Sequence, residues 1–243
     1  MDISFFPQYN EVLCGHRPLG STKNQLEAFL WIHKTGHDRK EPFPILRMGC
    51  SLFREPGQSA SFPGLQLDPQ AEGADMLLEY AVYYDYDIQH LYDLEHVWVA
   101  IDASGAVTGC WSSFHGMRLR VSGIPGLFRL DGTHPVLYAE PGKHALLPDP
   151  SLIYLHDQFP AVCNVLSGGG LLIPPMLDGL LHTTPEQDGA ICRYIRARFA
   201  FQPSMEFHPE AVAEERLVDW PELLEEIPRL VERQLAVIRG AEA

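Results

Sequence analysis

Two apolar, β-prone runs flank an acidic and histidine-bearing stretch in the middle of the chain. Residues 80–84 (Tyr-Ala-Val-Tyr-Tyr) and 97–101 (Val-Trp-Val-Ala-Ile) are aromatic and aliphatic, which fits the half-buried surface of a sheet. The residues between them include six ionisable ones, namely Asp85, Asp87, His90, Asp93, Glu95 and His96. The pattern predicts a β-hairpin with a charged tip.

Alternation of side chains along the second strand predicts which charged groups share a face. Asp93 and Glu95 fall on one face, and His96 and Trp98 fall on the other. We predict that the hairpin binds a divalent cation, which would neutralise the crowded negative charges. The predicted ligands are Asp87, His90, Asp93 and Glu95. Three carboxylates and one imidazole suit Mg²⁺, Mn²⁺, Ca²⁺ or Fe²⁺ better than a structural Zn²⁺. The alternative is an ordinary hairpin whose charged tip is solvated.

The rest of the pattern predicts a mainly β protein with helices added at both ends, α+β overall, in one domain. Turn signals at Ser104-Gly105, Pro125-Gly126 and Pro141-Gly142 separate predicted strands at 107–121 and 134–140, which favours a β-sandwich with a jelly-roll-like core over residues 42–148. Helices are predicted at 21–34, 185–199 and 221–239. The terminal helices would cover a sheet edge or form a homodimer contact. The Gly168–Gly170 run has no Lys after it, so it is interpreted as a turning loop, or a lid, rather than a phosphate loop.

Charge and cysteine content exclude several functions. The net charge of −14, from 18 Lys and Arg against 32 Asp and Glu, argues against nucleic acid as a partner. No apolar run reaches the length of a transmembrane helix, and residues 1–7 do not have the pattern of a secretory signal. The five cysteines are scattered and never spaced as Cys-x-x-Cys. We therefore expect a cytoplasmic protein.

The central hairpin resembles a known family. The segment His90-Leu-Tyr-Asp93-Leu-Glu95 is similar to the His-Arg-His-Asp-Trp-Glu core of the necrosis- and ethylene-inducing peptide-like proteins, and residues 80–87 are similar to the strand before it. The vacuolar-sorting-associated relatives have a similar Asp-x-Glu-His signature. The resemblance implies a β-sandwich that carries a divalent cation, with Asp87, His90, Asp93 and Glu95 as the ligands.

Two further segments resemble the family more loosely. Ser113-Phe-His115-Gly116 is similar to its Ser-x-His-Gly strand, and the segments beginning at His134-Pro135 and Gly142-Lys-His144 are similar to its later motifs. The matches span roughly residues 76–148. Asp87 lies only three residues before His90, so the connecting loop is shorter than in the toxins, and Gln89 and Leu94 replace the family's Gly and Trp. These departures indicate a distant, non-toxin branch.

Three functions are compatible with these features. The first is a metal-dependent enzyme of hydrolase type that acts on a small polar or sugar-containing substrate. In that case His115 and His144 are the predicted general acid or base, and His134 could also take that role. His96 and His134 are possible additional residues of the site. The second is non-catalytic binding of a glycan or lipid head group through the metal, as in the toxins. The third is a purely structural role for the charged hairpin.

Overall fold

The structure is a computed structural model that describes residues 35–157, 159–160, 168–210, 212 and 214–242. Its strands within these residues are β1 (Thr35–Asp38), β2 (Arg47–Phe53), β3 (Gly57–Gln58), β4 (Gln66–Leu67), β5 (Met76–Tyr86), β6 (His90–Ile101), β7 (Val107–Phe114), β8 (Met117–Leu119), β9 (Arg129–Asp131), β10 (His134–Ala139), β11 (Leu146–Leu147), β12 (Gly170–Leu171), β13 (Phe207–Pro209) and β14 (Leu217–Asp219). The described α-helices are α1 (Pro185–Arg198) and α2 (Trp220–Glu242). The prediction of a mainly β protein is confirmed. The helix predicted at 21–34 lies outside the described residues.

The predicted hairpin is the centre of the largest sheet. Strands β5 and β6 pair antiparallel over most of their length, with Tyr84 opposite Asp93 and Val82 opposite Glu95. The sheet order is β14-β2-β5-β6-β7-β8, and β12 pairs with the start of β6. Almost all residues of β5 and β6 are buried, so the side chains on both faces of these strands are covered by other parts of the chain. The charged residues of the hairpin are therefore held in the interior of the protein.

A second sheet contacts the first. Its order is β11-β10-β1-β13, with β9 paired to β10. The imidazole Nε2 of His37 in β1 lies 2.9 Å from the hydroxyl of Tyr84 in β5, and the Ser112 hydroxyl of β7 donates to the carbonyl oxygen of Leu146 in β11. Apolar side chains from both sheets, such as Leu137 and Val97, belong to one buried cluster. The two sheets thus share a core, and polar contacts cross it.

The predicted long strand at 107–121 is wrong, because the chain reverses at His115 and Gly116. Strands β7 and β8 pair with each other through Phe114 and Met117. His115 has φ of +48° and Gly116 has φ of +79°, as the tight turns of two-residue hairpins require. Apolar residues continue on both sides of the turn, so the alternation by itself did not reveal it. His115 is consequently at a hairpin tip, not on a strand face.

Both described helices pack on the sheets. Helix α1 begins with the predicted capping box, in which the Thr184 hydroxyl accepts from the Gln187 amide and the Gln187 side chain accepts from the Thr184 amide. Helix α2 continues through Pro228. The apolar stripe of α2 is buried within the chain, at Leu223, Ile227, Leu230, Val231, Leu235 and Ile238. That stripe is therefore not available for the homodimer contact we expected. No described helix has the length and apolar character needed to cross a membrane.

The glycine run packs against the tip of the central hairpin. Gly170 and Leu171 pair in parallel with His90 and Leu91, and the Gly169 amide donates to the carbonyl of Gln89 at 3.1 Å. A Cβ on Gly170, which has φ of +60°, would lie 2.3 Å from Oδ1 of Asp188 in α1. The run therefore has a structural role, which is to let β12 approach both the hairpin and α1.

We expect Gly170→Ala to lower the free energy of unfolding by about 1–3 kcal/mol, because the new methyl group meets Asp188 and the backbone is left-handed. Gly168→Ala is the matched control, since a Cβ there has no neighbour within 4 Å, and it should change stability by less than about 0.5 kcal/mol. Urea unfolding measures both. Equal stability of the two variants would contradict this account of β12.

Candidate functional site

Asp87 is buried at the tip of the β5–β6 hairpin, and both of its carboxylate oxygens have hydrogen-bond or ion-pair partners. Its Oδ1 accepts from the backbone amides of Gln89 and His90, both at 2.6 Å. Its Oδ2 is ion-paired with Nζ of Lys143 and lies 3.3 Å from Nε2 of His90. Because Lys143 lies in a distant turn of the chain, this ion pair connects the hairpin tip to the segment that follows β10.

Asp93 is paired with His144, which lies in the same turn as Lys143. Nδ1 of His144 lies 3.1 Å from Oδ2 of Asp93, and its Nε2 lies 3.4 Å from Oε1 of Glu41. The imidazole stacks on the ring of Tyr84 with centroids 3.9 Å apart and is fully buried. An imidazole between two carboxylates is stabilised in its charged form. Burial alone would lower the pKa of His144, but its hydrogen bonds and charge interactions with Asp93 and Glu41 outweigh burial and raise this pKa to about 10.

Glu95 is the third buried carboxyl of the hairpin, and among the described residues no cationic side chain is ion-paired with it. The Ser113 hydroxyl of β7 donates to its Oε2. Burial and the neighbouring charge of Asp93 raise the pKa of Glu95 well above its ordinary value. The pKa of Asp93 is instead lowered, since His144, His90 and Lys143 together outweigh the effect of burial. The proton thus resides on Glu95 more readily than on Asp93.

Of the four predicted metal ligands, His90 lies beside Asp87, and each of the three carboxylates has a different partner. Asp87 contacts Lys143, Asp93 contacts His144, and Glu95 contacts Ser113. Asp93 and Glu95 share a strand face as predicted. The ammonium and imidazolium of the turn supply the positive charge that we expected from a metal. Sequence reasoning missed Lys143 and Glu41 as members of this group, although the adjacent Lys and His of Gly142-Lys-His144 were a signal for the first.

A second group of ligand-type side chains is His115, Glu140 and His156. Nε2 of His115 lies 2.8 Å from Oε2 of Glu140, and Nδ1 of His156 lies 2.5 Å from Oε1. All three ligand atoms lie within 4.8 Å of one another, so that one metal ion could contact all of them. The Glu140 side chain is fully buried, whereas those of His115 and His156 are 30% and 19% exposed. The group therefore has a buried carboxyl side chain at its inner end and opens to solvent through its imidazoles.

Three separate elements position this group. His115 is the first residue of the β7–β8 turn, and its left-handed backbone is unusual for a residue with a side chain. Glu140 follows β10, and its carbonyl accepts from the His144 amide at 2.8 Å. His156 follows a 3₁₀ helix at Pro150–Leu155. The turn that provides Lys143 and His144 to the buried carboxylates thus also fixes Glu140.

Sequence reasoning found one member of this second group. His115 was predicted as a catalytic group, but Glu140 and His156 were not singled out. They lie 25 and 41 residues after His115, and no spacing in the sequence connects them. Two imidazoles and one carboxylate are a donor set that transition metals favour.

The additional candidates His96 and His134 do not belong to either group. His96 is buried on the other face of β6, where it stacks on Trp98 and meets Phe62 edge-on. Burial lowers its pKa to about 4, so it remains neutral there. His134 donates from Nδ1 to the carbonyl of Asp131 in the β9–β10 hairpin at 2.8 Å. His144, predicted as catalytic, has a fully buried side chain that a substrate does not reach.

Comparison with protein-family models, with curated proteins and with solved structures finds no match to this chain.

We expect His144 to remain an imidazolium far above neutral pH. Its folded-state pKa of about 10 lies above the ordinary value of 6.5, so its stabilising contribution is complete below about pH 6.5 and is lost as the pH rises towards 10. The free energy of unfolding of the parent should fall over that interval. ¹⁵N shifts of the imidazole, assigned with His144→Gln, would report the titration directly. A His144 resonance that titrates near 6.5 would contradict the paired arrangement.

Proposed function

We propose that this protein is a metal-dependent enzyme of hydrolase type whose divalent-ion site consists of His115, Glu140 and His156. The observation that carries the proposal is the convergence of two imidazoles and a buried carboxylate, all within 4.8 Å, at a place open to solvent. Three protein ligands leave coordination positions for water or substrate, as in catalytic metal sites.

The donor set favours particular ions. Two nitrogen donors and one carboxylate suit Zn²⁺, Fe²⁺ or Mn²⁺, whereas Ca²⁺ and Mg²⁺ prefer oxygen ligands. This choice differs from the oxygen-rich site that the sequence predicts at Asp87, His90, Asp93 and Glu95. In the structure Lys143 and His144 are paired with Asp87 and Asp93, and the Ser113 hydroxyl donates to Glu95. A cation there would have to displace the ammonium of Lys143.

The buried network has a supporting part in this proposal. The Lys143 and His144 amides donate to the Glu140 carbonyl at 3.1 and 2.8 Å, and the Glu140 amide donates to Ala145. The ion pairs of Lys143 and His144 hold this turn against the hairpin. Glu140 is thereby held with its carboxylate towards the two histidines. We therefore assign His144 the role of positioning the turn that carries Glu140, and not that of proton transfer to or from a substrate.

Chemistry at the proposed site follows from its charge and access. A divalent ion there would lower the pKa of a bound water towards neutrality and make it a nucleophile. The partly exposed imidazoles of His115 and His156 face solvent, so a small molecule can approach. Hydrolysis of a small substrate is therefore the reaction class that we propose.

The proposal also retains the finer expectations drawn from the sequence. The shared face of Asp93 and Glu95 and the joint core of the two sheets support a sandwich of the kind found in the necrosis-inducing superfamily, as a distant and non-toxin member. Metal-assisted binding of a glycan without turnover is the alternative function that this resemblance suggests. A cytoplasmic location is supported by Cys110 and Cys192, which are thiols in the structure.

We expect His115→Gln and His156→Gln each to weaken Zn²⁺ binding roughly 100-fold or more, because each removes one of three ligands. His134→Gln is the matched control, a histidine outside the group, and should bind Zn²⁺ like the parent. Isothermal titration and metal content after gel filtration measure the effect, and a panel of small esters and phosphoesters tests turnover.

Asp93→Asn distinguishes the two metal placements. It should retain Zn²⁺ if the ion lies at His115, Glu140 and His156. Loss of metal in Asp93→Asn with full binding in His115→Gln would refute the proposed site and restore the hairpin site.

A further inference from the structure

The most exposed apolar side chains of the described residues belong to residues within two positions of the histidines of the proposed metal site. Leu155, Tyr154 and Met117 are 78%, 61% and 55% exposed, and the other exposed large apolar side chains of the described chain are 39–52% exposed. Leu155 and Tyr154 directly precede His156, and Met117 lies two residues after His115. Single exposed apolar residues are common, whereas apolar side chains that accompany a few polar groups are typical of a binding surface.

We call Phe114, Met117, Tyr154 and Leu155 the apolar rim, and aromatic contacts hold two of these four side chains in place. The Phe114 ring meets His115 edge-on at 4.4 Å between centroids and lies 6.4 Å from His156. The Tyr154 ring meets Phe159 edge-on at 5.2 Å. Phe114 therefore forms a wall beside both imidazoles, and Tyr154 is held by a neighbour rather than extended freely into solvent.

Charge near the site does not favour an anionic ligand. Lys143 lies in the same turn as Glu140, but its ammonium is ion-paired with Asp87 and only 12% of its side chain is exposed. The chain carries a net charge of −14, which repels anions at long range. Because Lys143 is already paired, the exposed apolar side chains beside the site suit a neutral ligand.

We infer that the substrate is a small neutral acyl compound, an ester or amide, whose apolar acyl group lies against Phe114, Met117, Tyr154 and Leu155. The inference rests on the proposed metal site. Water would add its hydroxyl to the carbonyl carbon, the bond from that carbon to oxygen or nitrogen would break, and the leaving group would take the proton. The products are a carboxylic acid and an alcohol or amine, with no change of oxidation state.

Hydroxamates that differ only in their acyl chain test this inference without requiring turnover, because the hydroxamate group chelates the metal. We expect the Zn²⁺-loaded protein to bind hexanohydroxamate about tenfold or more tighter than acetohydroxamate, since four additional methylenes leave water. In Leu155→Ser and Tyr154→Ser this ratio should fall to about threefold or less. Val237→Ser, which removes an exposed apolar side chain on α2, is the matched control and should keep the parent ratio.

The outcomes separate the two proposals. Absence of Zn²⁺ or acetohydroxamate binding would refute the metal site itself. Binding of both hydroxamates with equal affinity, or a ratio that Leu155→Ser and Tyr154→Ser leave unchanged, would refute the acyl contact and leave the metal site standing. Sedimentation that shows self-association of the parent, abolished by Leu155→Ser, would assign the rim to a second copy of the chain and also overturn the inference.

Discussion

The carboxylates at the tip of the β5–β6 hairpin are buried, and the rest of the structure depends on how their charge is compensated. A buried charge without a partner costs several kcal/mol, so Asp87 and Asp93 require cations at fixed positions. The turn after β10 supplies them as Lys143 and His144. The Ile88 amide also donates to the Gly142 carbonyl at 2.8 Å, and the Gly142 amide donates to Glu41. One turn is thereby joined to the hairpin by ion pairs and backbone hydrogen bonds at once.

This compensation changes where a metal would be expected. The hairpin carboxylates would need a metal if no cation of the protein reached them, and in the structure Lys143 and His144 do. The carboxylate of Glu140 differs, because its partners are two imidazoles rather than an ammonium. Neutral imidazoles are metal ligands. A metal ion could replace the two hydrogen bonds between the imidazoles and Glu140 without displacing a lysine ammonium. The buried network and the solvent-facing group are thus two separate sets of side chains, although both include residues of the segment from Glu140 to His144.

Features that depend on local pattern could be predicted from the sequence. The alternation of side chains along β6 predicted that Asp93 shares a strand face with Glu95, and His96 with Trp98. The capping box predicted that α1 begins at Pro185. The reversal at His115 and Gly116 was missed because apolar residues continue past it. The partners of the buried carboxylates were missed for a different reason. Lys143 lies 56 residues from Asp87, and Glu140 lies 25 residues from His115, so only the packing of the two sheets brings them together.

The location of a bound transition metal tests the central claim most directly. Crystals grown with Zn²⁺ and measured at the zinc absorption edge would give an anomalous difference map that needs no assumption about ligands. The account predicts one strong peak between His115, Glu140 and His156, with Lys143 still paired to Asp87. A peak among Asp87, His90, Asp93 and Glu95, with Lys143 displaced, would contradict it.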